Sequence, residues 1–542
     1  MKTIFRNMLV GTMCASTIAL TGCLLEETFP TSGATADQLA SSSKATEALM
    51  WEMPAFVNNL GTYDKDMHFD WGYGSLMHIR DVMTADMAVV ASGYNWYSSW
   101  SSCTSLSNRH VTSFFPWSFY YKGIQTANNL IGAVDEAKAS NEQLGYLGVA
   151  HAYRALYYLE AAQLYEYLPS EKYPDGVSDA GKSIVNLTVP VVTEKTTEAQ
   201  ARNNPRATRD SMLHFIIEEL DKAEAQIPNL TDASKTLPHL GCVYGLKART
   251  YLWVCQYDSA YTYAVKAINL KDKYNNFAIT TQDEWLSTTN GFNDLSCKSW
   301  MWGSQTSKED AVVKTGIANW TSWMSNETTF GYASAAPFTM IASELYNKID
   351  NNDFRKLSFK APATSPLSGS EPYIDEGLFK DFPTYTSLKF RPAEGNTEEA
   401  TVACACAFPM MRYEEMFFIA AEAAARLGDA ATAKTILTKV MSTRNPNYSC
   451  KASSPEDVAE EVFLQKRIEF FGEGITFFDY KRLNKSVDRS ASSNWDVTEN
   501  YKIEGRPAWM VFNIPYSEGS QNHALADYMN PDPSGVYTPV AK

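Results

Sequence analysis

A mostly α-helical chain, built as tetratricopeptide-like helical hairpins with long loop-rich insertions, is the fold class this sequence predicts. Three observations carry it. Long amphipathic stretches come in antiparallel-looking pairs joined by short polar breaks. Small residues recur on the faces where paired helices must meet, which lets their backbones approach closely. The turn residues and most tryptophans fall in two other stretches, roughly 50–114 and 275–410, as expected when recognition sits on loops over a rigid frame.

The chain opens with an address rather than a structural element. Lys2 and Arg6 are followed by the apolar run Met8 to Leu20, long enough for a secretory leader but too short to span a bilayer. Leu20-Thr21-Gly22-Cys23 then places a cysteine where a bacterial lipoprotein is cleaved and acylated, so residues 1–22 read as signal peptide and Cys23 as the lipidated N-terminus. Two or more acyl chains are what stable anchoring requires. Glu26 and Glu27 resemble the acidic surface-export signal of Bacteroidetes lipoproteins, which implies an outer-membrane protein facing the cell exterior. No later window is apolar enough to span a bilayer.

Loss of the leader removes only Lys2 and Arg6 among charged residues, taking the formal charge from −15 to −17. A nucleic-acid binder needs a basic field to neutralise phosphates, and no Lys/Arg cluster supplies one. At 45% hydrophobic and 20% charged residues the body reads as a packed globular unit, here a single domain over 23–542. Of nine cysteines, Cys14 and Cys23 are accounted for by the leader and the anchor. Most of the other seven read as small buried hydrophobes, because so large a chain does not need staples. Cys404-Ala-Cys406 lacks a second close pair, and the seven histidines are scattered, so no metal or other cofactor is expected, with calcium left open.

The helical scaffold is expected mainly over 115–270 and 410–483. Phe115 to Ala137 and Asn141 to Tyr167 make a first hairpin, stopped before Pro169. Thr208 to Ile227, Leu240 to Cys255 and Tyr257 to Leu270 follow, with Ala248, Ala260, Ala264 and Ala267 at packing positions. Glu414 to Leu427 and Ala430 to Met441 are separated only by Gly428-Asp429, a tight turn, and carry Ala420, Ala421, Ala424, Ala425 and Ala433. Ser454-Pro455-Glu456-Asp457 reads as N-cap, proline at the first helical position and an acidic first turn.

Downstream, Arg467, Glu469, Phe470, Glu473, Gly474, Asp479 and Arg482 fall at the spacing R-x-E-[LF]-x-x-E-G-x-R-x-x-D-x-x-R, with Thr476 where the pattern often has arginine. Arg154-Ala155-Leu156-Tyr157-Tyr158, Pro205-Arg206-Ala207-Thr208 and Ile514-Pro515-Tyr516-Ser517-Glu518, with Asn522 and Leu525 after it, complete an ordered set. Glu166 stands where glycine is common. The chain resembles the SusD/RagB family along nearly its whole length. That resemblance implies a SusD-like fold and a nutrient-binding subunit that captures oligosaccharide or polysaccharide. It also implies a hinged lid on a SusC-like TonB-dependent outer-membrane transporter. The signature residues Arg467, Glu469, Glu473, Gly474, Asp479 and Arg482 are expected to be structural, as is the pair Arg80-Asp81.

No catalytic residues are expected. Glu469 and Glu473 sit one turn apart on one helix, whereas a glycosidase needs an acid and a base on opposite sides of its substrate. H-E-x-x-H, G-x-S-x-G, Walker and G-x-G-x-x-G patterns are missing. Candidate glycan contacts are aromatic, because a ring covers the apolar C–H face of a pyranose while amides and carboxylates bond its hydroxyl rim. The early insertion offers Trp71 and Tyr73 beside Asp70, then Tyr94, Asn95, Trp96, Tyr97 and Trp100. The later one offers Trp320, Trp323 and Tyr332 near Asn319 and Asn326. The two groups are expected to converge. Trp117, Trp253 and Trp285 are assigned to packing, and of Trp300 and Trp302 one is allowed to face the core and the other solvent. RagB-like peptide capture and, further off, a surface glycosidase are the alternative functions.

Overall fold

The computed structural model describes residues 42–541, so the leader, Cys23 and the Glu26-Glu27 pair lie outside the described residues. The architecture is mostly helical, with three short two-stranded antiparallel sheets pairing 87–89 with 339–341, 300–305 with 407–412, and 487–488 with 502–503. None of the described helices is long and apolar enough to cross a membrane.

Helix Asn141–Tyr165 is the axis of the fold. Ser140 and Gln143 form a reciprocal capping box at its start, and beyond Tyr146 every side chain to Tyr165 is buried. It packs against Val111–Ala133 on one side and Arg209–Gln226 on the other. Val111–Ala133, capped by His110, starts four residues before the expected Phe115 and carries Pro116 inside it, where the ring removes the bond that residue 116 would have made to the Thr112 carbonyl. Leu240–Trp253 and Tyr257–Asn269 pair next, with Ala260, Ala264 and Ala267 fully buried between helices. In the last hairpin, Tyr413–Arg426 and Ala430–Arg444, Gly428 takes φ +90° and the Asp429 carboxylate accepts the Thr432 N–H, so the Gly-Asp break is both turn and cap.

The early insertion holds more helix than its turn residues suggest. Ser43–Phe56 and Tyr73–Val82 lie in or beside it, and every side chain of Tyr73–Val82 is buried. Ser75, His78 and Asp81 recur at helical spacing, but this polar stripe is buried with the rest, so an element this short among turn residues is read from its position in the fold rather than from an exposed face. Trp300 and Trp302 are both fully buried, correcting the expectation that one might face solvent. Residues two apart on a strand share a side, and this strand is covered on both. The candidate platforms meet the same fate: Trp71, Tyr73, Tyr97, Trp100, Trp320 and Trp323 all lie within one continuous hydrophobic core.

Three family-like motifs act as clamps. The Arg206 guanidinium donates to the carbonyls of Tyr165, Leu187, Thr188 and Tyr528, and Thr208 caps the next helix. Burial with no carboxylate against it draws Arg206 down to about 9. Asn522 brackets Asn204, accepting its N–H at 2.9 Å and donating to its carbonyl at 2.6 Å. Glu166, in the position where glycine is common, accepts from Trp253 Nε1 at 2.8 Å and pairs with Arg209.

Candidate functional site: an aromatic ledge over an ionic junction

The signature segment forms a buried ionic junction, one side of which, at Glu473, Gly474, Asp479 and Arg482, lines a small cavity shared with Tyr73, Arg80 and Glu160. Glu469, fully buried at the end of helix Pro455–Glu469, is held by Arg355 at 3.0 Å, Arg412 at 3.1 Å and Arg444 at 2.8 Å. Burial by itself pushes its carboxyl up, and the three guanidiniums reverse this to leave it far below the carboxylate range. Glu473 pairs with Arg412 at 2.8 Å and Lys389 at 2.6 Å. Gly474, at φ +68°, donates its N–H to Asp81 at 2.8 Å, and a Cβ there would meet the Met77 backbone at 2.7 Å. Asp479 joins Lys466 and Arg482, each at 2.5 Å.

Arg80 reaches Glu160 at 2.7 Å, and Arg467 reaches Asp86 at 2.7 Å. Thr476 offers Asp86 only a long 3.5 Å contact, and Arg467 is the cation that pairs with Asp86. A general acid or base must reach a substrate proton. Glu469 and Glu473 are sealed and fully committed to cations, so they bind helices to one another.

The structure brings the two aromatic groups together in one chain of rings from surface to core. Trp96 lies against His68 at 4.5 Å, and His68 Nδ1 hydrogen-bonds the Tyr332 hydroxyl. Tyr332 stacks on Trp323 at 4.3 Å and 13°, and Trp323 meets Tyr97 edge-on at 4.7 Å. A second branch runs Trp71, Trp320, Phe408, the last pair stacked at 4.7 Å.

Burial divides this set of candidate contacts. Trp71, Tyr73, Tyr97, Trp100, Trp320 and Trp323 are no more than 4% exposed, so no ring face is left for a sugar. Tyr73 instead donates to Glu160 at 2.5 Å inside the Arg80 cluster. Asn95 Oδ1 accepts the Tyr97 N–H at 3.0 Å, which spends its amide on the turn. Asn319 caps a short helix and Asn326 ties Thr339 to Ser387, so both are structural.

Tyr94 at 62% and Trp96 at 37% remain at the surface, with Tyr332 buried behind them. His68 is the member that residue patterns missed: a lone histidine between Met67 and Phe69 carries no periodic signal. Its loop is held by Asp70, whose carboxylate accepts the backbone N–H groups of Thr62, Tyr63 and Asp64 at 2.9, 2.5 and 2.8 Å. Burial raises the Asp70 carboxyl, and these three bonds only partly offset it. Trp117, Trp253 and Trp285 pack inside. Among the described residues no group of three or more His, Cys, Asp or Glu side chains is arranged to hold a metal ion. Cys103, Cys242, Cys404 and Cys406 are buried free thiols, and Cys255 is exposed.

Two family models cover most of the described chain. One, described as starch-binding and associating with outer membrane, matches residues 40–252, and the other, the SusD family, matches 338–532. This chain belongs to the SusD family. Its fold is that of solved SusD structures. A SusD-like carbohydrate-binding protein from Bacteroides vulgatus superposes with a TM-score of 0.72 at 20% identity, over 92% of this chain and 99% of that one. A SusD superfamily protein from Bacteroides thetaiotaomicron gives 0.69 at 19%, over 90% and 100%. A laminarin-binding SusD-like protein gives 0.60 at 17%, over 90% and 99%. No curated protein matches the chain. In this SusD-family member the ionic junction builds the frame and the Trp96 ledge is what the frame presents.

Proposed function

We propose that this chain is a non-catalytic, lipid-anchored glycan receptor of the outer membrane. It captures oligosaccharide or polysaccharide at the Trp96 ledge and delivers it, as a hinged lid, to a SusC-like TonB-dependent transporter. The observation that carries the reading is the ledge itself: Tyr94 and Trp96 stand at the surface, and His68 and Tyr332 buttress Trp96 from behind. A ring held in place before the ligand arrives loses little conformational freedom on binding. Stacking one pyranose on it contributes about 1 kcal/mol, and polar contacts at its rim add specificity.

A receptor of this kind needs no turnover, and the carboxylate pair Glu469 and Glu473 is locked in ion pairs inside the frame. Weak sites suffice. A millimolar site corresponds to about 4 kcal/mol, and many anchored receptors on one polymer raise avidity without new contacts.

The test is retention of the purified protein on insoluble polysaccharides and, in parallel, on an immobilised peptide pool. Retention by a polysaccharide that Trp96→Ala weakens is the expected outcome. Retention by peptides alone would overturn the reading in favour of RagB-like capture. Co-purification with a TonB-dependent barrel from outer membranes tests the lid.

A further inference from the structure

Helix Ser43–Phe56 carries a stripe that nothing above uses. Trp51, Pro54, Ala55 and Asn58 recur at the spacing of one helix face, continued one turn past its end. They floor a groove of about 460 Å³ whose opposite wall is the segment from Gln305 to Ala311. None of its lining residues belongs to the Trp96 ledge.

The groove has one aromatic ring, three amides, one carboxylate and no cation. Trp51 is half-buried, so it keeps part of a ring face open. Each amide is fixed through its own nitrogen. Asn58 Nδ2 donates to Ser304 Oγ at 2.7 Å and the Gln305 carbonyl at 3.3 Å, Asn59 Nδ2 donates to Thr62 Oγ1 at 3.1 Å, and Gln305 Nε2 donates to the Thr306 carbonyl at 2.8 Å. Asp310 accepts the Ser307 N–H through one oxygen at 2.7 Å. Asn58 spends both of its N–H groups, whereas Asn59 and Gln305 each use one, so these side chains leave a ligand three amide oxygens, the second Asp310 oxygen and two amide N–H groups, oriented in advance.

A surface of fixed amides and a carboxylate beside a ring, with no Lys or Arg lining it, suits a ligand rich in hydroxyls, which both donate and accept, and without negative charge. Phosphates and acidic sugars would face Asp310 with nothing to neutralise them. We propose that the Trp51 groove is a second carbohydrate site, specific for a neutral sugar, separate from the Trp96 ledge. The proposal rests on the reading of the chain as a glycan receptor and extends it: two sites on one rigid body let a polymer bridge them, multiplying retention at low affinity per site.

The test uses the protein labelled with 5-fluorotryptophan, with the Trp51 and Trp96 fluorine resonances assigned through Trp51→Phe and Trp96→Phe. Glucose, galactose, mannose and xylose are titrated in turn, with glucuronate as the charged comparison. The Trp51 resonance is expected to shift with at least one neutral sugar, severalfold less with glucuronate, and not at all in an Asn58→Ala, Asp310→Ala protein. The exposed Gln305→Ala substitution repeats the test if that double variant does not fold. A Trp51 resonance unmoved by all the neutral sugars, or moved equally in the variants, overturns the proposal. Silence at Trp51 with a titrating Trp96 sinks the second site alone, whereas failure of polysaccharide retention sinks the receptor reading itself.

Discussion

Residues 94–100 and 467–482 are alike in composition, both crowded with aromatic and polar side chains, and opposite in what the fold does with them. The second segment turns almost everything inward: Glu469, Glu473 and Asp479 are each met by two or more cations. The first is split within a few residues. Tyr97 and Trp100 go to the core while Tyr94 and Trp96 stay out. Chemical richness thus marks both a girder and a grip, and solvent access distinguishes them. A buried ion cluster binds its frame strongly only while complete, because removing one partner strands the others in low dielectric. An exposed ring has no such dependants.

The sharpest way to break the contrast is Glu469→Gln. Three arginines lose their shared counter-charge, and the expected cost is about 3–5 kcal/mol, read by denaturant unfolding. An unchanged midpoint would mean that the junction does not hold the helices. Acid should do the same reversibly. The Glu469 carboxyl is depressed in the folded state, so its stabilisation is complete above the ordinary carboxylate range and fades as pH falls toward its folded value.

Trp320→Ala should cost a similar amount, about 3–5 kcal/mol, through the cavity left between Phe390 and Phe408. If it instead lowers glycan affinity at full stability, the core assignment fails. A smaller effect is expected at Glu219. Burial raises its carboxyl, but bonds from His151 and Arg154 at 2.7 Å bring it down to about 2. Its contribution, about 3 kcal/mol, should be whole above pH ~5 and disappear as pH falls toward 2. Glu219→Gln should flatten that part of the stability curve. Smallest for the frame is Trp96→Ala: under about 1 kcal/mol in unfolding, with polysaccharide affinity down roughly tenfold. Loss of stability without loss of affinity would return Trp96 to packing.

Much of the frame was legible residue by residue. Ser454 and Pro455, Thr208, and Gly428 with Asp429 mark helix ends through local hydrogen bonding and backbone preference, and the ends fall where those residues are. The helix Tyr73–Val82 was not, since it is short, lies among turn residues and buries its polar stripe of Ser75, His78 and Asp81 along with its apolar face. Of the candidate contacts, the meeting of residues 94–100 with 320–332 was expected, but the outward-facing members were not separable from the inward ones. Trp96 and Trp320 are the same residue type in equally aromatic surroundings.

Local chemistry by itself thus determined where helices begin, which small residues let them touch, and that the signature carboxylates belong to the frame. Only tertiary structure decided which rings meet water and that His68 stands beneath Trp96. It also decided that Trp51 shares a groove with Gln305, far along the chain. Capping and propensity act over a few residues and are written in order along the chain. Exposure is a property of everything that folds over a side chain, and for these rings that cover arrives from segments hundreds of residues away.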